Sequence, residues 1–531
     1  MKRTNVLWIT GLVLGWFFDF LFWKANAGIN FAIYVLLCLA GGFLVLRLNG
    51  LRPSWKALVM IIPILFFAPM TFIRQEPLSL FLSVVATLGA MGVLAVTFLG
   101  GRWAEYSLSD YVVNAFRLAG SMIARPILFR NERQKMAATE GTDEAAKAAS
   151  KAGWKRFWAI FRGILIALPI IVVFAALLSS ADLVFAQRLQ DFTRLFRLEK
   201  LPEYLFRGVY ILIGAYALVG VMLHAAQKSL DEKLVGMDKP LVPAFLGFTE
   251  AVIILGAVIL LFAAFVLVQF QYFFGGQTNI GIEGYTYAEY ARRGFSELVT
   301  VAFFSLLLFL GLSAIVRRVS SVQRWVFSGL GISMVALVGV MLVSAYQRLR
   351  LYEEAYGFSR LRMYTHVFMI WLGLLLGVVV LLEILRRERF FALAAVVASL
   401  GFAATLTLIN VDATITRQNV ARVSQGKPLD VAYLASLSPD AVPALVTAFQ
   451  QQPQAETRDA LGAALACRSQ NDQLTRKDWR SFNLSNWRAV KALEGVREAL
   501  DNYDVKDDEW PVSVHSPAGA DYDCYPSGGM D

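Results

Sequence analysis

The chain has 531 residues, 57% hydrophobic and 17% charged, with a mean hydropathy of +0.55. One core cannot hide that much apolar surface from water, so a soluble globular protein is excluded and a bilayer is the expected solvent. The net charge of +10 divides into +15 up to residue 409 and −5 beyond it, a split that suits loop topology and argues against nucleic acid as a partner.

Apolar runs long enough to cross a hydrocarbon core of roughly 30 Å fall near 6–23, 28–46, 57–73, 78–100, 157–179, 205–226, 250–274, 295–316, 325–345, 364–385 and 390–409. The expected fold is all-α: a polytopic transmembrane helix bundle of about 11 spans with a small C-terminal helical soluble tail. With the N-terminus inside, the cytoplasmic connections hold roughly twice the Lys and Arg of the outer ones. An odd span count then puts the tail outside. The expected divisions are spans 1–4 over 1–101, a cytoplasmic connection over 102–156 and spans 5–11 over 157–409. Beyond these come an extracytoplasmic helical tail over 410–503 and a disordered end over 504–531.

Lys2 and Arg3 before the first run and Ala25-Asn26-Ala27 after it resemble a signal peptide, but Asp19 and the crowded aromatics argue against cleavage. Asp19 reads as an acid pairing with an outer arginine or reaching the interface, or else as a proton relay. Gly11 with Gly15, and Gly373 with Gly377, have the spacing that permits close helix packing. In the connection after span 4, Val112, Phe116, Ala119 and Ile123 recur at helical spacing with Arg117 and Arg125 between them, which suits an in-plane helix on the inner leaflet. An alanine-rich charged linker follows. A second amphipathic stripe, Phe185, Leu189, Phe192 and Phe196, suits the outer leaflet.

Three polar clusters fall on one side of the membrane in this topology. In the first, Tyr287 lies within a capping box formed by Thr286 and Glu289, and Glu289, Arg293 and Glu297 share one helix face. The second is a helical hairpin with two near-copies of one pattern, Arg348-Leu-Arg350-Leu-Tyr352 and Arg360-Leu-Arg362-Met-Tyr364. Gly357 is placed to stop one helix and Ser359 to cap the next, and Glu353 and Glu354 stand at i+3 and i+4 from Arg350. In the third, Asp412 is positioned to cap a helix on which Thr416 and Asn419 share its face. Four outer arginines within fifteen residues oppose the positive-inside bias. They form either a salt-bridged lid or a site for phosphate or carboxylate groups, which the guanidinium fork binds through two oxygens.

No Walker loop, HExxH, GxSxG or dinucleotide fingerprint is present, which points away from familiar enzyme chemistry and from a bound cofactor. His224 and His366, near span ends, read as interfacial residues. Three cysteines without a close pair exclude a thiolate metal site. With the tail outside, Cys467 and Cys524 are free to form a disulfide. In the tail, Ser438-Pro439-Asp440 is a helix start, and helices are expected near 456–468 and 486–502.

The stretches YTYAEYARRGFSEL, RLRLYEEAYGFSRLRMYTHVF, NVDATITRQNVAR and LSPDAVPAL resemble a family of bacterial polytopic membrane proteins called domain of unknown function 4173, a relative of family 4153. The resemblance implies a location in the bacterial cytoplasmic membrane and brings no activity or catalytic residue with it. Three functions follow as expectations. One is binding or transport of an anionic lipid or small molecule at the outward Arg/Glu/Tyr cluster. The others are a transferase acting on a lipid-linked substrate, and a scaffold or sensor whose tail meets an envelope protein.

Overall fold

In a bilayer the backbone finds no water, so long apolar runs satisfy their own N–H and C=O groups as helices. The structure, a computed structural model, describes residues 3–139, 201–230, 234, 244–274, 295–469, 478–506 and 511–525, with scattered residues between 159 and 188. Eleven helices among the described residues are long and apolar enough to cross a membrane, making the protein an all-α polytopic bundle. The helices up to the last span are α1 (Thr4–Phe22), α2 (Ile29–Leu48), α3 (Trp55–Leu58), α4 (Ile61–Ile73), α5 (Pro77–Thr97), α6 (Leu108–Thr139), α7 (Leu201–Gln227), α8 (Phe248–Phe274), α9 (Phe295–Ile315), α10 (Ser321–Tyr356), α11 (Arg360–Ile384) and α12 (Phe391–Ile409).

Ten of the eleven candidates coincide with expected spans. The eleventh is Leu108–Arg133 within α6, the segment expected to lie in the plane of the leaflet. Along its apolar stripe Val112, Phe116 and Ile123 are all more than half exposed, available to lipid. The expected span at 157–179 and the stripe from Phe185 to Phe196 fall largely outside the described residues.

The chain divides into two compact units. In the first (1–23, 37–52 and 116–228), α1 and α7 meet almost backbone to backbone. A Cβ on Gly11 would stand 2.6 Å from Val219, and one on Gly15 2.7 Å from the Ile211 carbonyl oxygen. The other glycine pair does not act this way: Gly373 has ordinary contact with Leu342 at 3.4 Å, and Gly377 meets nothing within 4 Å. Asp19 is buried and takes the pairing role, accepting from Arg207 Nε at 2.9 Å and from the Tyr210 hydroxyl.

In the second unit (24–36, 53–115 and 229–531), α10 is the central helix, packing against α8, α9 and α11. It starts with a capping box between Ser320 and Gln323. Beyond α12 the chain forms α13 (Val411–Val423), α14 (Val431–Ser436), α15 (Val442–Gln451), α16 (Ala455–Ser469), α17 (Leu484–Glu494) and α18 (Arg497–Leu500). The run Ala460–Ala466 of α16 is buried throughout, its small side chains letting α14, α15 and α18 close around it. One buried cluster joins Val367, Leu406 and Ile415 to Leu434, Leu445 and Leu461, so the tail shares its core with the end of the bundle.

Two expectations for the tail are corrected. The helix expected at 486–502 stops at Glu494, where Gly495 serves as the C-cap, and restarts at Arg497. The end expected to be disordered instead contains a three-stranded antiparallel sheet, β1 (Asp504–Lys506), β2 (Ser513–His515) and β3 (Asp521–Asp523), in the order β1-β2-β3. Val505, Val514 and Tyr522 pack into the tail core, and Cys524 is bonded to Cys467 of α16. An acidic, Gly- and Pro-containing composition conceals such short strands, because three residues carry too little alternation to stand out.

Candidate functional site

The hairpin forms as its glycine requires. α10 ends at Gly357, whose φ of +88° favours glycine, with its N–H bonded to the Glu353 carbonyl at 2.8 Å. There is no room for a side chain: a Cβ would meet Arg422 Nη1 at 2.6 Å and Asn419 Oδ1 at 2.9 Å. Asn419 holds the turn from α13, accepting from Phe358 N at 2.7 Å and donating to Phe358 O at 2.9 Å. Arg422 Nη2 donates to the Glu354 and Ala355 carbonyls at 3.0 and 3.2 Å, satisfying two open acceptors at the end of α10. Burial, and then nearby Arg362, push the Arg422 guanidinium below its usual pKa. Ser359 occupies the N-cap position of α11, but its side chain makes no capping bond.

The hairpin's charges are mostly engaged. Arg360 grips Asp412 through two bonds, at 2.8 and 2.6 Å, and its backbone N–H donates to the Tyr433 hydroxyl at 2.9 Å. Asp412 is wholly buried and also accepts from Ser438 N at 2.7 Å. It does not cap α13; Asn410 does, in a left-handed conformation with its Oδ1 accepting from Ala413 N. Arg362 donates to the Gly357 carbonyl and lies 4.1 Å over the ring of Tyr352. Tyr364 donates to Glu76, whose carboxylate also caps α5 through Leu78 N and Ser79 N. Glu353 is buried against His366, with 2.7 Å between Oε2 and Nε2. Arg348 is buried, whereas Arg350 and Glu354 are exposed. The two near-copies therefore hold their arginines in different surroundings. Tyr287, Glu289 and Arg293 lie outside the described residues.

Both histidines expected at interfaces are drawn inward, His224 to Ser121 at 2.7 Å and His366 to Glu353. Among the described residues no group of three His, Cys, Asp or Glu side chains could hold a metal ion.

Sequence reasoning missed the neighbouring pocket. Arg74 directly follows α4, donates to the Thr407 carbonyl at 2.8 Å and stands 3.6 Å from Asp440. Asp440 also accepts from Gln75 N at 2.6 Å and Glu76 N at 3.0 Å, so a residue read as part of a helix start anchors the α4–α5 turn. Burial pushes its carboxyl above the usual range, against the pull of Gln75 N–H and Arg74. Around this pair lies a cavity of about 270 Å³ bordered by Arg417 of α13 and Arg488 of α17, with Ala413, Pro443 and Ala444 leaving the space open. Arg417 donates to Thr414 at 3.0 Å; neither it nor Arg488 has a carboxylate at ion-pair distance among the described residues. Three guanidinium groups thus face one carboxylate. The single signal in the sequence was arginine at a span end, at 74.

Chemically, the hairpin is an interlock, and the pocket gathers three guanidinium-bearing residues and one carboxylate.

No curated protein matches the chain, and no solved structure does. Among family models, the match is to the relative of the family expected from the quoted stretches. Its model covers residues 61–448, from α4 to α15, which includes the hairpin and Arg74, Arg417 and Asp440 of the pocket but not Arg488, and the chain belongs to this family, described as Domain of unknown function (DUF4153).

Proposed function

We propose that this multi-pass protein binds or moves an anionic ligand at the outer face of a bacterial cytoplasmic membrane, in the pocket bordered by Arg74, Arg417 and Arg488. The observation that carries the reading is the excess of three guanidinium groups over one carboxylate in a cavity of about 270 Å³. An N-terminus inside and a tail outside are supported by the excess of Lys and Arg in the inner connections. The Cys467–Cys524 disulfide supports the same orientation, since such bonds persist in oxidising compartments. The hairpin residues Arg360 and Tyr364 tie the hairpin to Asp412 of α13 and to Glu76 at the start of α5, beside this pocket.

A scaffold role, in which the tail meets an envelope protein, is favoured by the buried cluster that runs from α12 into α16, since a force on the tail is then felt at the hairpin. Anion binding has the more specific chemistry.

The test is thermal melting of the purified protein in neutral detergent with a panel of anions: inorganic phosphate, a dicarboxylate and a short-chain anionic phospholipid. At least one should raise the melting temperature in a saturable way, and the rise should vanish in Arg417→Ala/Arg488→Ala. No shift from any of them, or a shift that survives the double substitution, would remove the proposal.

A further inference from the structure

We infer that the ligand of the arginine pocket is the phosphodiester headgroup of an anionic phospholipid, drawn from the bilayer beside it. This rests on the anion-binding reading and adds the source of the anion. Four observations carry it.

The first is depth. Arg74 is the residue after the last of α4, and Asn410 is the residue after the last of α12. Two spans therefore end on the pocket, and lipid phosphates lie where spans end. The second is the surface that leads in. Leu408 and Ile409, the last turn of α12, are 61% and 38% exposed and offer an apolar path next to Asn410. The third is size. A cavity of about 270 Å³ falls below the roughly 300–1,000 Å³ of sites that enclose whole small molecules, so it admits a headgroup and leaves the acyl chains outside, in the bilayer.

The fourth is the rim. α17, which carries Arg488, is tied to the span ends: Asn483 Nδ2 donates to the Thr71 and Arg74 carbonyls, and Phe482 O accepts from Ile29 N at 3.0 Å. Beside Arg488 on this segment, Trp479, Phe482 and Trp487 are 55%, 38% and 50% exposed, and Lys491 lies 5.0 Å from the Trp487 ring. Large exposed aromatics next to cations are the side chains that settle at the headgroup level of a bilayer. A receptor for a free anion has no use for them. Arg417 and Arg488 supply charge-assisted donors to the two non-bridging phosphate oxygens, and Arg74, held by Asp440, lies behind them.

The experiment measures binding to the purified full-length chain in neutral detergent of three probes: dihexanoyl phosphatidylglycerol, dihexanoyl phosphatidylcholine and inorganic phosphate. Wild type, Arg417→Glu/Arg488→Glu and Arg417→Lys/Arg488→Lys are compared. Both positions are exposed, so unliganded melting should match wild type in each variant. The expected result is preferential binding of the phosphatidylglycerol, weakened about tenfold or more by the glutamates and less by the lysines, which keep charge but lose the fork. Inorganic phosphate binding as tightly as the lipid would leave the anion site standing and overturn the lipid assignment. Equal binding of the phosphocholine lipid, or lipid binding that survives the glutamates, would also overturn it. If no probe binds, both readings fall.

Discussion

At the scale of single residues, charge at the hairpin is divided between groups that hold the fold and groups that remain available. Removing one partner of the Arg360–Asp412 pair leaves the other buried with its charge, a loss of roughly 3 kcal/mol. Arg360→Ala should therefore lower the melting temperature clearly, Arg360→Lys should recover little because it cannot reproduce the fork, and Arg360→Ala/Asp412→Ala should lose less than the two singles combined. Gly357→Ala should lose more than about 1 kcal/mol, since φ is +88° and Arg422 and Asn419 occupy the space. Of these residues Gly357 was legible in the sequence, because a left-handed turn demands glycine. The Arg360–Asp412 pair was not, because its members are 52 positions apart and local spacing carries no trace of such a contact.

Asp440 gives this pocket a pH dependence with a definite sign. Its carboxyl is raised, so the folded state holds the proton more tightly than the unfolded chain does. The group opposes stability once pH rises through the unfolded carboxylate value to the folded one, and acidification into that window restores stability. Protonation also takes the pocket from two net positive charges to three, with Arg74, Arg417 and Arg488 facing it and Asp412 nearby. Affinity for a phosphodiester, whose charge is constant, should rise as pH falls from neutral, and Asp440→Asn should flatten that profile. A titration at several pH values checks both.

At the scale of elements, the tail depends on its covalent tie and on one glycine. The disulfide joins residues 57 apart, for which chain entropy predicts roughly 4 kcal/mol of stabilisation. Reduction, or Cys467→Ser, should loosen the sheet before the bundle melts, read as hydrogen exchange rising first at 504–525. Gly462 meets the Tyr503 hydroxyl where a Cβ would stand 2.0 Å away, so Gly462→Ala should loosen the same region. The spans were legible because about twenty apolar residues have few other uses, and so was the start of the helical tail at Ser438-Pro439. The sheet was not, because its hydrophobic partners lie in α16. Leu108–Arg133 is mixed in character: Arg117 and Arg125 lie among apolar residues, and one 18-residue stretch of it has a mean hydropathy of 1.3, so length and composition fit a span as well as the in-plane helix.

At the scale of the whole molecule, the two halves of the pocket come from chain segments more than 330 residues apart, the α4 end and the tail, which is why no local motif announces it. The proposed orientation ties this pocket to chemistry outside the cell. An odd number of crossings leaves the tail where thiols oxidise; an even number would leave it where they stay reduced. Protease treatment of intact spheroplasts should therefore remove a C-terminal tag, and a protected tag would reverse the orientation.

The measurement that bears most directly on the central claim is the melting temperature of three proteins, wild type, Arg360→Ala and Arg417→Ala/Arg488→Ala, each with and without a short-chain anionic phospholipid. If the hairpin arginine holds the fold and the pocket arginines hold the ligand, Arg360→Ala melts lower without lipid, while the double variant melts like wild type and no longer responds to it. A double variant that still responds, or an Arg360→Ala protein that melts like wild type but has lost its response, would contradict this division of labour and return the ligand to the hairpin.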